Sequence, residues 1–176
     1  MNRTFCAGSF LFFAAATIAW AQPSGYVETS DWNVYRNAKL GFEFKYPKFF
    51  QERRATGTVN GAPMERADFV GTQAAGKPQD LTFFVQRKIN PEGLSVAQWY
   101  KDQMKDIPKA PPPKTAMIGG RPAAWYKVAG AFGKNYSFFV PLNKTDILTI
   151  AFTRPLSEEK LDETFETILS SVKFLD

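Results

Sequence analysis

The residues that could do chemistry in this chain are its carboxylates. Histidine is absent from all 176 residues, and the single cysteine, Cys6, stands near the N-terminus. Nucleophilic relays of the Ser-His-Asp or Cys-His kind therefore have no base. Zinc, haem and iron–sulfur sites built on His or Cys have no ligands beyond Cys6. No GxSxG elbow, Walker loop or GxGxxG motif occurs. Paired acids can act as acid and base in glycoside hydrolysis, and Glu65, Asp68 and Asp80 stand near expected loops. Nothing in their spacing requires them to converge, and a solvated surface is the simpler account. A second acidic group, Glu158, Glu159, Asp162, Glu163 and Glu166, falls at helical spacing. It is expected opposite an apolar stripe, on a face turned to water. A weak calcium site would suit an exported protein, but no EF-hand-like loop supports it. The expectation is no catalytic residue, no metal and no cofactor.

The N-terminus fixes the expected compartment. Residues 1–21 read as a secretory signal peptide: Arg3 is the only charge, "FLFFAAATIAWA" is the apolar run, and Ala19-Trp20-Ala21 is a small-x-small site before Gln22. The run is short of the ~20 apolar residues that a bilayer span needs. Cys6 lies near its start and follows no lipobox-like sequence. Cleavage of 21 residues from 176 leaves about 155, enough for one domain that buries roughly two thirds of its surface. It would carry no cysteine, so its core alone must hold it together. The net charge of +5 is spread among acids, in stretches such as "QERR" and "KDQMKD", with no basic block. Nucleic acid is not an expected partner.

The elements read as follows. Residues 22–31 are a polar leader, and the domain runs over 32–176. "WNVYR" alternates, with Trp32 and Val34 on one side. "FEFKY" alternates strictly, with Phe42, Phe44 and Tyr46 on one face, and Pro47 ends it. Asn60-Gly61 predicts a hairpin. "LTFFVQRK" is a strand and "NPEG" a turn. Ser95 caps a helix with Val96, Trp99, Tyr100, Met104 and Ile107 at helical spacing. "IPKAPPPK" is a stiff connector. Gly119-Gly120 joins two strands. "NYSFFVPL" and "DILTIAFT" are apolar enough to lie centrally. Ser157 caps a last helix whose stripe is Leu161, Phe165, Ile168 and Leu169 or Val172, with Glu158 and Glu159 in its first turn. Asn135-Tyr136-Ser137 and Asn143-Lys144-Thr145 match the glycosylation pattern, as chance alone allows. Short turns between strands imply antiparallel pairing, and helices with one apolar stripe must lie on a sheet. The fold class is α+β, a mainly antiparallel sheet covered by helices.

"VYRNAKLGFEFKYPKFF", the apolar strand pair and the terminal "FETILSSVKF" together resemble the PsbP-like proteins. These are similar to the extrinsic PsbP subunit of photosystem II and to Mog-type Ran-binding proteins. Tyr35, Asn37, Gly41, Phe42, Tyr46 and Pro47 hold the opening pattern, and Phe165, Ile168, Ser171 and Phe174 the closing one. "IGGRPA" looks like a hairpin found in such domains. The resemblance implies an α/β/α sandwich around an antiparallel central sheet. It implies little about activity, since fold does not set function. The plant subunit's cation-linked role does not carry over to a chain without histidine, and Ran binding does not suit an exported protein. Bacterial proteins of this kind include envelope proteins and protein-binding accessory modules.

Three functions follow as expectations. The first is an exported, non-enzymatic accessory protein in periplasm or medium, touching an envelope protein through an aromatic patch at Phe49 and Phe50 or at Phe132 and Tyr136. The second is a module for a small apolar ligand or lipid, with a pocket between the sheet and the Ser95–Ile107 helix, lined by Phe84, Trp99 and Trp125. The third is a carboxylate hydrolase. Phe42, Phe44 and Tyr46 are read as core against the two helices, not as a binding surface.

Overall fold

The computed structural model describes residues 28–55, 58–59, 62–72, 78–130, 133–156, 159 and 161–175. Ala19, Ala21, Gln22, Phe132, Ser157, Glu158 and the Asn60-Gly61 pair lie outside them, as does the side chain of Asp80.

Period-two patterning builds the first hairpin. β1 (Asn33–Asn37) pairs antiparallel with β2 (Phe42–Tyr46). The turn closes when Asn37 accepts from the Gly41 amide at 2.9 Å through its carbonyl and from the Leu40 amide at 3.0 Å through Oδ1. Phe42, Phe44 and Tyr46 are buried, as the alternation requires. In β1 it is Tyr35 that turns inward, while Val34 is 57% exposed, so the inward side is the opposite of the Val34 side. The core's demand for Tyr35 beside Phe44, rings 5.1 Å apart, decides the matter. The short C-terminal β12 (Lys173–Phe174) adds to the free edge of β2.

A seven-stranded antiparallel sheet carries the rest, in the order β3-β6-β7-β11-β10-β9-β8. Its strands are β3 (Phe50–Ala55), β6 (Arg66–Thr72), β7 (Pro78–Ile89), β8 (Lys114–Ile118), β9 (Arg121–Gly130), β10 (Gly133–Pro141) and β11 (Asp146–Arg154). Between β3 and β6 a two-residue ladder, β4 (Thr58–Val59) with β5 (Ala62–Pro63), flanks Asn60-Gly61. The long pairing there is β3 with β6. "FQERRA" shows no apolar alternation, and β3 was not foreseen. It is an edge strand, where exposed Gln51, Arg53 and Arg54 discourage further pairing. β11 lies fourth of seven, and its apolar residues are buried on both faces. Gly119 and Gly120, with φ of 55° and 78°, form the tight β8–β9 turn.

Both faces of this sheet are covered. On the inner face, the β1-β2-β12 sheet packs its aromatics against Phe69 and Phe83, whose rings stack at 4.2 Å; Phe44 lies 5.9 Å from Phe83. The aromatics of β2 are core as expected, packed on Phe69 and Phe83 of the large sheet, with α2 against β2 and α1 on the other side of that sheet. Helix α2 (Leu161–Ser170) covers the same face through Phe165, 4.3 Å from Phe152. Helix α1 (Val96–Met104) covers the outer face, with Trp99 and Tyr100 on Phe139 and Ile147. A capping box of Ser95 and Gln98 starts α1. Ile107 lies beyond its end and is exposed, because the helix closes before that residue reaches the sheet. α2 begins at Leu161, so its first-turn acids are Asp162 and Glu163 and Glu159 precedes it. The architecture is α+β, helices on opposite faces of a mainly antiparallel sheet. No helix of the described residues is long and apolar enough to cross a membrane.

Candidate functional site

The inner face is less fully filled at the β9–β10 end, and there a cleft opens beneath α2. Register places its floor. Trp125 stands opposite Phe138, and Tyr136 opposite both Lys127 and Phe152. Because side chains alternate across a strand, all of these point to the α2 side. Trp125 and Phe138 stack with centroids 5.6 Å apart. Phe165 and Leu169 of α2 form the opposite wall. The cleft holds about 290 Å³. Its rim carries Lys114 and Lys127, whose ammonium groups lie over the rings of Trp125 (4.9 Å) and Tyr136 (5.0 Å).

Two acids border the same space, and their states differ. Asp162 is clamped by Arg154, a wholly buried guanidinium that donates Nη2 to Oδ2 at 2.6 Å and Nε to Oδ1. The Tyr136 hydroxyl donates to Oδ2 at 3.2 Å. Burial works to raise the pKa of Asp162, yet hydrogen bonds and charge from Arg154, helped by Tyr136, hold it below its ordinary value. The charge of Asp162 is thus neutralised by its partner. Among the described residues no cation is ion-paired with Glu166. Burial first, then repulsion from Asp162 and Glu163, pushes its pKa up. The acidic group of α2 is therefore not a uniformly solvated face: Asp162 anchors the helix to the end of β11, and Glu166 lines the cleft. The sequence did hold a signal for this. Arg154 is the one cation in "DILTIAFTR", and a buried cation needs an acid close by.

Compared with solved structures, the chain matches the solution structure of cyanobacterial PsbP (CyanoP) from Synechocystis sp. PCC 6803. The TM-score is 0.54 over 87% of this chain and 99% of that one, at 14% identity. The fold is PsbP-like. A crystal structure from Bacteroides thetaiotaomicron gives a TM-score of 0.44 at 13% identity, over 77% of this chain and 46% of that one. LpqN of Mycobacterium tuberculosis, a protein involved in cell envelope biogenesis, gives 0.48 at 16% identity, over 77% and 83%. No protein-family model matches the sequence, and no curated protein matches it.

Within the PsbP-like fold the expected site residues separate. Phe84, Trp99 and Trp125 do not share a pocket, because the sheet lies between them. Trp125 faces inward with Phe138, whereas Trp99 packs on Phe139 at the outer face and donates its Nε1 hydrogen to the Ile89 carbonyl. Phe84 stands next to inward Phe83, so it points outward, under the Arg66 guanidinium at 3.9 Å. The space under α1 is filled by aromatic rings, so the cleft is under the other helix, and of the three only Trp125 lines it. The expected partner patch is also divided. Phe50 is 2% exposed, because it begins β3 and packs on Phe83 at 4.8 Å, while Phe49 is exposed. Tyr136 is half-buried and bonded to Asp162. Glu65 is paired with Lys39 and with Arg87, and Asp68 with Arg66. The exposed large apolar residues, among them Val34, Ile89, Met117 and Val128, are on separate elements.

Proposed function

We propose that this protein is an exported accessory protein of the cell envelope that works by binding and not by catalysis, with the aromatic cleft beneath α2 as its binding site. The signal-like N-terminus supports export. The lack of any histidine in the sequence favours binding over the usual hydrolytic relays. One observation carries the choice of site: Trp125, Phe138, Phe152 and Phe165 meet around about 290 Å³ of open space, with a polar rim. Binding sites of small molecules are built this way, from apolar walls and a few placed polar groups. A small ligand is favoured over contact with an envelope protein, because two of the residues expected to form an aromatic contact patch are engaged elsewhere: Phe50 is core and Tyr136 is half-buried and bonded to Asp162. A protein partner then contacts the module secondarily, or through an apolar residue inserted in the cleft.

A neutral, environment-sensitive apolar dye tests the site. Leu169 lines the cleft from a half-buried position, so Leu169→Trp should fill it while α2 stays folded. Dye fluorescence should rise with the wild type and fall at least about tenfold in affinity with Leu169→Trp at unchanged helical signal. Equal dye binding by both proteins would remove the cleft as the site. Export is tested by N-terminal sequencing of the protein from its host: a start at Gln22 is expected, and an intact Met1 on a cell-associated chain contradicts it.

A further inference from the structure

The cleft's charge and volume identify a class of ligand. We infer that it takes a single-tailed amphiphile with an acidic head: the tail on Trp125, Phe138, Phe152 and Phe165, the head between Lys114 and Lys127. This rests on the cleft being the binding site, as proposed above.

Volume sets the tail. A dry cavity of about 150 Å³ accommodates one benzene, so about 290 Å³ takes roughly two ring-sized apolar units. That corresponds to a medium acyl chain or a two-ring aryl group, and is too small for a two-chain lipid. Charge sets the head. Lys114 and Lys127 sit on β8 and β9 and point to the same face. Among the described residues neither is ion-paired with an acid, and each rests on an aromatic ring. An ammonium resting on a ring can leave it for a carboxylate at little cost, because a charge-assisted hydrogen bond is the stronger interaction. The opposing acids do not cancel this. Asp162 is satisfied by Arg154, which leaves Glu166 as one carboxylate against two ammonium groups in the cleft. A cationic head would meet two lysines and gain no free carboxylate beyond Glu166.

Three ligands with one tail and different heads test the inference by titration calorimetry, below their micellar concentrations: decanoate, decanol and decyltrimethylammonium. Decanoate should bind at least about tenfold more tightly than decanol, as one charge-assisted contact predicts, and decyltrimethylammonium more weakly than decanol. Lys114→Gln with Lys127→Gln, both at exposed positions, should reduce decanoate to the affinity of decanol and leave decanol unchanged. If decanol and decanoate bind alike, blocked by Leu169→Trp, the cleft is a binding site but does not read an acidic head, and this inference falls alone. If none of the three binds, the inference and the proposed site fall together.

Discussion

Arg154 and Asp162 decide how the end of β11 meets α2. Arg154 is wholly buried and Asp162 is partly exposed, so the pair lies between a surface bridge and a core one. Asp162→Asn should destabilise the fold by about 2 kcal/mol, since it leaves a buried guanidinium short of its counter-charge. The pH dependence follows from the direction of the shift. The folded-state pKa of Asp162 is below its ordinary 3.8, so the contribution is complete well above 3.8 and is lost as pH falls through the folded value. Urea titrations at falling pH should show a steeper loss in the wild type than in Asp162→Asn. Glu166 acts with the opposite sign. Its folded pKa is above the ordinary 4.5, so the folded state loses stability as pH rises through that value, and Glu166→Gln should stabilise slightly at neutral pH. The same substitution should strengthen decanoate binding by removing a negative charge near the lysines; weaker binding would contradict the assigned role of the rim. The two acids sit in one run at helical spacing, so the sequence does not separate their roles: the lone Arg154 of β11 signals that some acid must pair with it, but not which one. Only the fold shows that one faces a buried arginine and the other an aromatic cleft.

At the scale of elements, alternation was the most readable signal. "FEFKY" fixes β2 and its inward face, and Phe44→Ala should cost about 3–5 kcal/mol in urea denaturation, as for other large aromatic truncations. Phe49→Ala, at an exposed position two residues after Pro47, should cost less than about 1 kcal/mol. Similar losses for the two would contradict the division of this segment into core and surface. Helix α1 was legible through its cap, and Ser95→Ala should lose about 1 kcal/mol with the capping box. β3 was illegible because an edge strand is held by backbone pairing and carries polar side chains on purpose. The alternation of "WNVYR" does not choose the inward side of β1, because Val34 and Tyr35 are both good strand residues, and only packing against Phe44 and Phe69 chooses between them. Gly133 was also silent. A Cβ there would stand 2.3 Å from the Arg154 carbonyl oxygen, so Gly133→Ala should push β10 away from the residue that anchors α2.

For the whole molecule, the turn pattern and the order of strands sufficed for an antiparallel sheet with helices, and the PsbP-like likeness agrees with that architecture. The location of the cleft was not legible. It depends on which helix fills its face of the sheet completely: α1 closes the outer face with Trp99 and Tyr100, while α2, with Phe165 and Leu169, leaves room beside Trp125. That difference arises from side-chain volumes summed over several strands, which no local pattern records. The account's central claim is that this open end of the inner face binds a ligand. The most direct measurement is a series of proton–nitrogen correlation spectra of the labelled protein, titrated with decanoate. The account predicts dose-dependent shifts at Lys114, Trp125, Lys127, Tyr136 and α2, with Trp99 and β3 unmoved. Shifts centred on Trp99 and α1, or no shifts at all, would contradict it.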